Sequence, residues 1–270
     1  MRYIILTICV LLFNSGLYSQ TDNVSLSFGG GLNSLAYELD CCGKKSSDFG
    51  FSMKLGYEHF FNPKEGILTG LMMVNFSTSA TLNYRQTIDN FVDEDEKNYT
   101  QRTYFNELKE VQKQNILILP AEFFYKIDLS QKLKLNLCGG FFAGFNIKND
   151  FKTQSGELES RRFYYALNLE IYGDYPQHGL YSESDFNGKY DSKVLFGGIF
   201  ETDLRYNLSD DLDLKFGFHW LYSFNSQKKE SSLNLYNPND LKYNGVFNSN
   251  LTNKVHPFAL GFLIGINYRL

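Results

Sequence analysis

No stretch of this chain offers the roughly 20 consecutive apolar residues that a membrane-crossing helix needs. Mean hydropathy is −0.31, so a bundle of spanning helices is excluded. Basic charge is not in excess either. There are 26 Lys+Arg against 30 Asp+Glu, net −4, and no nucleic-acid footprint is visible. Cysteine is scarce, four in 270 residues. One of them, Cys9, falls in the leader described below, which leaves Cys41, Cys42 and Cys138. A disulfide between neighbours such as Cys41 and Cys42 is strained, three cysteines do not make a framework, and no second pair or histidine stands at zinc-ligand spacing. Proline numbers five and tryptophan one. What is present is phenylalanine (25), tyrosine (19) and glycine (22), the raw material of strands and tight turns. An aromatic content of 17% excludes disorder.

The first 19 residues read as a secretory signal peptide: Arg2 is the positive end, Tyr3 to Phe13 the apolar core, and small or polar residues follow to an expected cleavage after Ser19. The apolar run is too short to span a membrane.

From residue 20 the chain alternates with period two, the signature of strands with unlike faces. Val24, Leu26 and Phe28 oppose Ser25 and Ser27; Phe51, Met53, Leu55 and Tyr57 oppose Ser52, Lys54 and Glu58. The same pattern recurs over 117–127, 133–147, 194–206, 212–224 and 258–270. Segment 67–84 is apolar on both faces at first, and its Leu68, Met72, Val74 and Phe76 are assigned to the apolar face. Eight strands result. Their connections alternate between short, as at Asn62 to Glu65, and long, at about 34–47, 85–113, 149–192 and 226–255. A soluble sandwich has no reason to sort its loops this way, whereas a transmembrane barrel has short periplasmic turns and long extracellular loops.

The expected fold is therefore all-β, a transmembrane antiparallel up-and-down barrel over 20–270, with eight strands and both termini periplasmic. The strand-like stretch Arg161 to Tyr172 is placed in the third long loop, paired above the membrane; counting it toward a ten-stranded barrel is the alternative. Tyr57, Tyr125, Tyr206, Tyr222 and Tyr268 lie towards the strand ends, where aromatic girdles belong. The face opposite the apolar one carries Lys54, Glu58, Glu122, Lys126, Lys134, Glu201, Asp203, Arg205, Asp213, Lys215 and Arg269. These eleven charges are expected to pair across the lumen and plug it, because eight strands leave room only for side chains. A lipid-face change such as Leu135→Arg is expected to be destabilising near the midplane.

Asn115-Ile-Leu-Ile-Leu-Pro120-Ala-Glu-Phe-Phe-Tyr-Lys126, with its internal proline, is followed after a short turn by the glycine-rich aromatic strand Leu137-Cys-Gly-Gly-Phe-Phe-Ala-Gly-Phe145. Together with Phe196-Gly-Gly-Ile-Phe200 and Gly261-Phe-Leu-Ile-Gly-Ile-Asn-Tyr268, this resembles the PorT-like outer-membrane β-barrel domain family of Gram-negative bacteria. The resemblance implies a barrel of the outer membrane and cell surface, recognition of the C-terminal strand by the barrel-insertion machinery, and, for a few members, a part in secretion or surface assembly. It implies no catalytic residue and no cofactor.

Of four histidines, His59 is expected at a turn, His178 in a loop and His256 at the start of the last strand. His219 alone faces inward, in a lumen hydrogen-bond network. Ser223, four residues along the same face, stands roughly 13 Å away by strand rise, beyond the reach of a catalytic pair. The acidic run Asp93 to Glu96 reads as a solvated loop tip. The expected function is a non-enzymatic, plugged barrel that meets a protein partner through its loops and outer-membrane lipid through its wall. The alternatives are a narrow pore and a lipid-modifying enzyme.

Overall fold

The computed structural model describes residues 22–39, 43–173, 179–181 and 186–270. The signal peptide, Cys41, Cys42 and His178 lie outside the described residues. Eight long strands form the wall: β1 (Asn23–Tyr37), β2 (Phe49–Asn62), β3 (Glu65–Val92), β4 (Asn98–Asp128), β5 (Leu133–Tyr164), β6 (Leu195–Asn207), β7 (Leu212–Ser223) and β8 (Val255–Arg269). Each pairs antiparallel with the next, β8 returns to β1, and β5 pairs with β6, so the sheet closes into a ring. The chain is an eight-stranded transmembrane β-barrel.

One rim carries the short turns. Asn62 Oδ1 accepts the backbone N–H of Lys64 and Glu65 at 2.9 and 3.0 Å, an Asx turn that lets Pro63-Lys64 reverse the chain. At the next turn Ser130 Oγ accepts the N–H of Leu133 at 3.1 Å. Tyr57, Tyr125, Tyr206 and Tyr268 face outward near this rim, while Trp220 and Tyr222 face outward towards the other. Between the two girdles β4 turns Leu117, Leu119, Ala121, Phe123 and Tyr125 outward, a span of nine residues, enough for a tilted crossing.

The far side differs from the loops that the sequence suggests. β3, β4 and β5 run for 28, 31 and 32 residues. Of the expected loop 85–113, only 93–97 is a turn; the rest is strand. Likewise 149–164 extends β5, and only then does the chain fold back, with Leu169–Ile171 paired on Arg162 to Tyr164. Arg161 to Tyr172 is thus a small hairpin at the sheet's tip and adds no ninth crossing. Gly43–Ser47 pairs with Thr78 to Leu82, inside the expected first loop. β4 projects about 55 Å beyond Asn115, by strand rise. The physical reason lies in composition: 98–113 keeps an apolar inner line, Tyr99 and Phe105 before a bulge at Asn106-Glu107 and Leu108 after it, a pattern that its charged neighbours conceal.

The fourth long connection, 224–254, is irregular but not solvated. Leu235, Tyr236, Tyr243, Val246 and Phe247 are buried with Leu35, Phe76, Leu82, Phe105, Leu108, Phe151 and Leu158 of the wall. Gln86 binds the backbone of Tyr236 through both ends of its amide, donating to the carbonyl at 2.7 Å and accepting the N–H at 3.3 Å. The segment packs inside the projecting sheet as a cap over the barrel.

Leu68, Met72, Val74 and Phe76 are fully buried. They face the interior, opposite to the side assigned from sequence, and Leu71 and Met73 face out. At Met72, Val74 and Phe76 the interior has changed from polar to apolar, and Leu68 packs on Phe60 and Phe124 among the lumen charges, so both faces are apolar and alternation does not tell one from the other. Pro120 sits in a wall strand without breaking it, because the β3–β4 ladder skips from Thr69↔Ala121 to Met72↔Ile118. Thr69 Oγ1 donates to the Pro120 carbonyl at 2.9 Å, and Gly70 (φ +150°) brings its backbone so close to β2 that a Cβ would lie 2.0 Å from the Leu55 carbonyl.

Candidate functional site: the charged lumen and its apolar cap

Period two puts Glu201, Asp203 and Arg205 on one inward line of β6, and Lys54 and Glu58 on one line of β2. Lys54 Nζ lies 2.7 Å from Glu122 Oε1 of β4 and 2.8 Å from Glu201 Oε2 of β6, tying three strands together across the lumen. Arg205 grips Glu58 with both terminal nitrogens and Asp203 through Nε at 2.6 Å. Lys215 approaches Asp203 at 3.4 Å and Glu201 at 4.0 Å. Asn23 and Asn136 donate to Glu58 and Asp203 at 3.1 and 3.3 Å. Arg205, Glu58, Lys54 and Lys215 are all within 1% of complete burial. Charges so far from water persist only when paired and hydrogen-bonded.

The remaining predicted lumen residues line the short-turn mouth. Asp213 pairs with the half-exposed Arg269 at 3.0 Å. Lys126 places Nζ 4.0 Å from the centre of the Phe60 ring, a cation–π contact rather than an ion pair. Lys134 is half-buried at the rim, opposite Asp128.

His219 is buried beside Glu201 in the ladder. Neither ring nitrogen has a hydrogen-bond partner in the protein, which departs from the expected network: its ladder partner on β8 is Gly261, which has no side chain to offer. Ser223 donates to the Asn225 carbonyl at 2.8 Å, so no serine–histidine pair forms. Cys138 is a buried free thiol. His59 binds Asp22 Oδ1 at 2.9 Å near the short-turn rim. His256 stacks parallel to Tyr222 at 6.1 Å. At the far tip Asp93 Oδ1 accepts the N–H of Asp95 and Lys97 at 3.0 and 2.8 Å, folding the acidic run into its own turn. No group of three metal-ligating side chains occurs among the described residues.

Above the charges the lumen becomes apolar with Ile118, Val74, Ile199 and Leu221, and the cap lies over that. Within the cap stands one group that sequence reasoning missed. Glu110 is fully buried and its carboxylate accepts three neutral donors: Tyr243 Oη at 2.7 Å, Gln112 Nε2 at 2.7 Å and the N–H of Val246 at 3.1 and 3.0 Å. Burial pushes its pKa up to about 7, against the pull of those hydrogen bonds. In the sequence Glu110 is one charge in the mixed run Asn106 to Lys113; only the tertiary contact with 243–246, more than 130 residues on, sets it apart.

No family model matches the chain, and no curated protein matches it. Among solved structures it is similar to Ail, the attachment invasion locus protein of Yersinia pestis, at 10% identity over 93% of this chain and 100% of that one, with a TM-score of 0.34. It is also similar to the outer membrane protein OprG of Pseudomonas aeruginosa (11%, 94% and 97%, TM-score 0.41) and to the outer membrane protease OmpT of Escherichia coli (8%, 94% and 99%, TM-score 0.38). At such identities and scores the likeness says nothing about activity, and the barrel stands on its own strand pairing.

Proposed function

We propose that this protein is a non-catalytic outer-membrane barrel of the PorT-like kind, with a sealed lumen and a rigid projecting sheet that presents the cell-surface interaction site. The observation that supports it is the division of the interior: ion pairs tie opposite walls below, and 224–254 packs an apolar cap above. A conduit would need a continuous aqueous path, and a plugged barrel leaves none. The investment in structure lies instead beyond the membrane, in three strands that continue far past the apolar band. Their tip carries exposed Tyr165, Leu167 and Tyr172, with Arg161 bridging Glu159 and Glu170 at 2.6 and 3.1 Å. Aromatic and arginine side chains are enriched in protein interfaces, so the partner is a protein that docks on this tip.

The long connections at the projecting end support an extracellular position for it, since outer-membrane barrels carry their longer loops outside the cell. The test is twofold. Purified protein in planar bilayers should show no steady conductance, and an impermeant amine reagent on whole cells should label Lys97 at the tip and spare Lys64 at the short turn. Steady single-channel currents would replace the sealed barrel with a narrow pore, and labelling of Lys64 alone would invert the topology.

A further inference from the structure

The outward face of β8 changes character step by step. Leu260 and Phe258 belong to the apolar band, His256 follows two residues on, and Lys254 comes next beyond the strand. Beside this line, β7 turns out Trp220 and Tyr222, with their rings parallel and 6.4 Å apart. The strand β1 ends here too, because Ala36 pairs with His256. Between these elements lies a cleft of about 490 Å³ lined by Tyr222, His256, Lys254, Asn253, Lys45 and Glu38 among others. It opens where the aromatic girdle gives way to polar chain.

Its chemistry is that of an anion site with an apolar floor. Lys45 Nζ donates one hydrogen bond to the Tyr37 carbonyl at 2.7 Å, which anchors the ammonium and leaves two protons to donate. Lys254 is exposed at the cleft's edge. His256 donates Nδ1–H to the Ser223 carbonyl at 3.0 Å, so Nε2 remains for a ligand. Against these three stands one carboxylate, Glu38, also in the lining. Height selects the anion. Tryptophan and tyrosine belts sit at headgroup level, and lysines just beyond them are attracted to anionic lipid.

We propose that this cleft is a binding site for the phosphate of a lipid headgroup, with Lys45, Lys254 and His256 on the phosphate and Tyr222 against the start of the acyl region. The inference does not depend on the function proposed above, since a sealed barrel and a pore would both have this rim.

The test uses the full mature protein in phosphatidylcholine nanodiscs containing bisphosphorylated lipid A, with retained lipid counted by native mass spectrometry. Wild-type protein should hold a lipid that the Lys45→Glu/Lys254→Glu variant loses roughly tenfold or more, as expected for reversing two headgroup-level charges. The same loss should follow when dephosphorylated lipid A replaces the phosphorylated form. Lys113→Glu/Lys148→Glu, on the β4–β5 side of the wall, should retain lipid like the parent. Heat-dependent gel mobility reports that each variant is folded, and His256→Gln provides a milder second variant expected to weaken retention. Equal loss in the Lys113/Lys148 variant would reduce the site to a diffuse lysine belt and overturn the proposal. Equal retention of dephosphorylated lipid would do so as well. Displacement by inorganic phosphate at millimolar concentration would move the site from lipid to free anion and overturn it too.

Discussion

The two halves of β4 teach opposite lessons from one pattern. From Leu117 to Lys126 the strand turns hydrocarbon outward and carries Glu122 and Lys126 inside. From Tyr99 to Leu108 it turns Arg102 and Tyr104 outward and buries Tyr99, Phe105 and Leu108. Period-two alternation runs through both, interrupted in the second by a bulge at Asn106-Glu107 that moves the buried line from Phe105 to Leu108, yet inside and outside have exchanged polarity. What sets the sign is the medium around the strand. In lipid the apolar face is stable outward and the lumen holds the charges; in water the apolar face must be covered, and 224–254 covers it. The crossover falls near Met72 and Ile118, where both faces are apolar.

The comparison breaks most visibly at its charged end. Arg205→Ala leaves Glu58 and Asp203 buried without their main cation and should destabilise the barrel by about 3–5 kcal/mol, read as a lower unfolding midpoint in urea or on heating. An unchanged midpoint would mean that water reaches the lumen freely. Next comes the wall. Phe141, 69% exposed and level with Ala121 in the middle of the β4 span, should cost about 2–4 kcal/mol as Phe141→Arg. Leu135 lies two residues from the short-turn end of β5 and not at the midplane, so Leu135→Arg should cost only about 0–1 kcal/mol. Similar penalties for the two would place the membrane elsewhere on the wall.

The cap should answer to pH. Burial raises the folded pKa of Glu110 to about 7, from the ordinary carboxylate value near 4.5. Between those values the folded state keeps a proton that the unfolded state has released, so stability falls as pH rises from about 4.5 to 7 and is level on either side. The difference is on the order of 3 kcal/mol. Amides of 243–252 should exchange faster at pH 8 than at pH 5 after correction for intrinsic rates, and Glu110→Gln should flatten the profile. A parent protein with no such trend would mean that Glu110 does not hold the cap. Smallest is Tyr243→Phe, which removes one hydrogen bond to that carboxylate and should loosen the cap by about 1 kcal/mol, seen in the same exchange experiment.

The membrane half was largely legible in the sequence because lipid imposes strict alternation and short turns mark strand ends. The inward line of Glu201, Asp203 and Arg205 follows from period two alone. Their partners do not: that Lys54 meets both Glu122 and Glu201 depends on barrel closure, which no local pattern encodes. The projecting half was hidden. Asn98 to Lys113 is rich in charge and amides, and its inner residues read as strand only once a cover is known. Glu110 was illegible for the same reason, since its donors arrive from a distant, irregular segment.

The seam between β1 and β8 has a consequence in time. Tyr37 and Val255 face each other there, although the whole of the remaining wall is synthesised between them. At Gly31 the backbones approach so closely that a Cβ would lie 2.2 Å from the Leu260 carbonyl. Closing so long a loop is entropically late and slow, and until it happens β1 presents an unpaired edge to anything that can add a strand. Assembly of this molecule is therefore gated by its last strand, and the interval before that strand docks is the period in which the chain is open to aggregation and to capture by a helper.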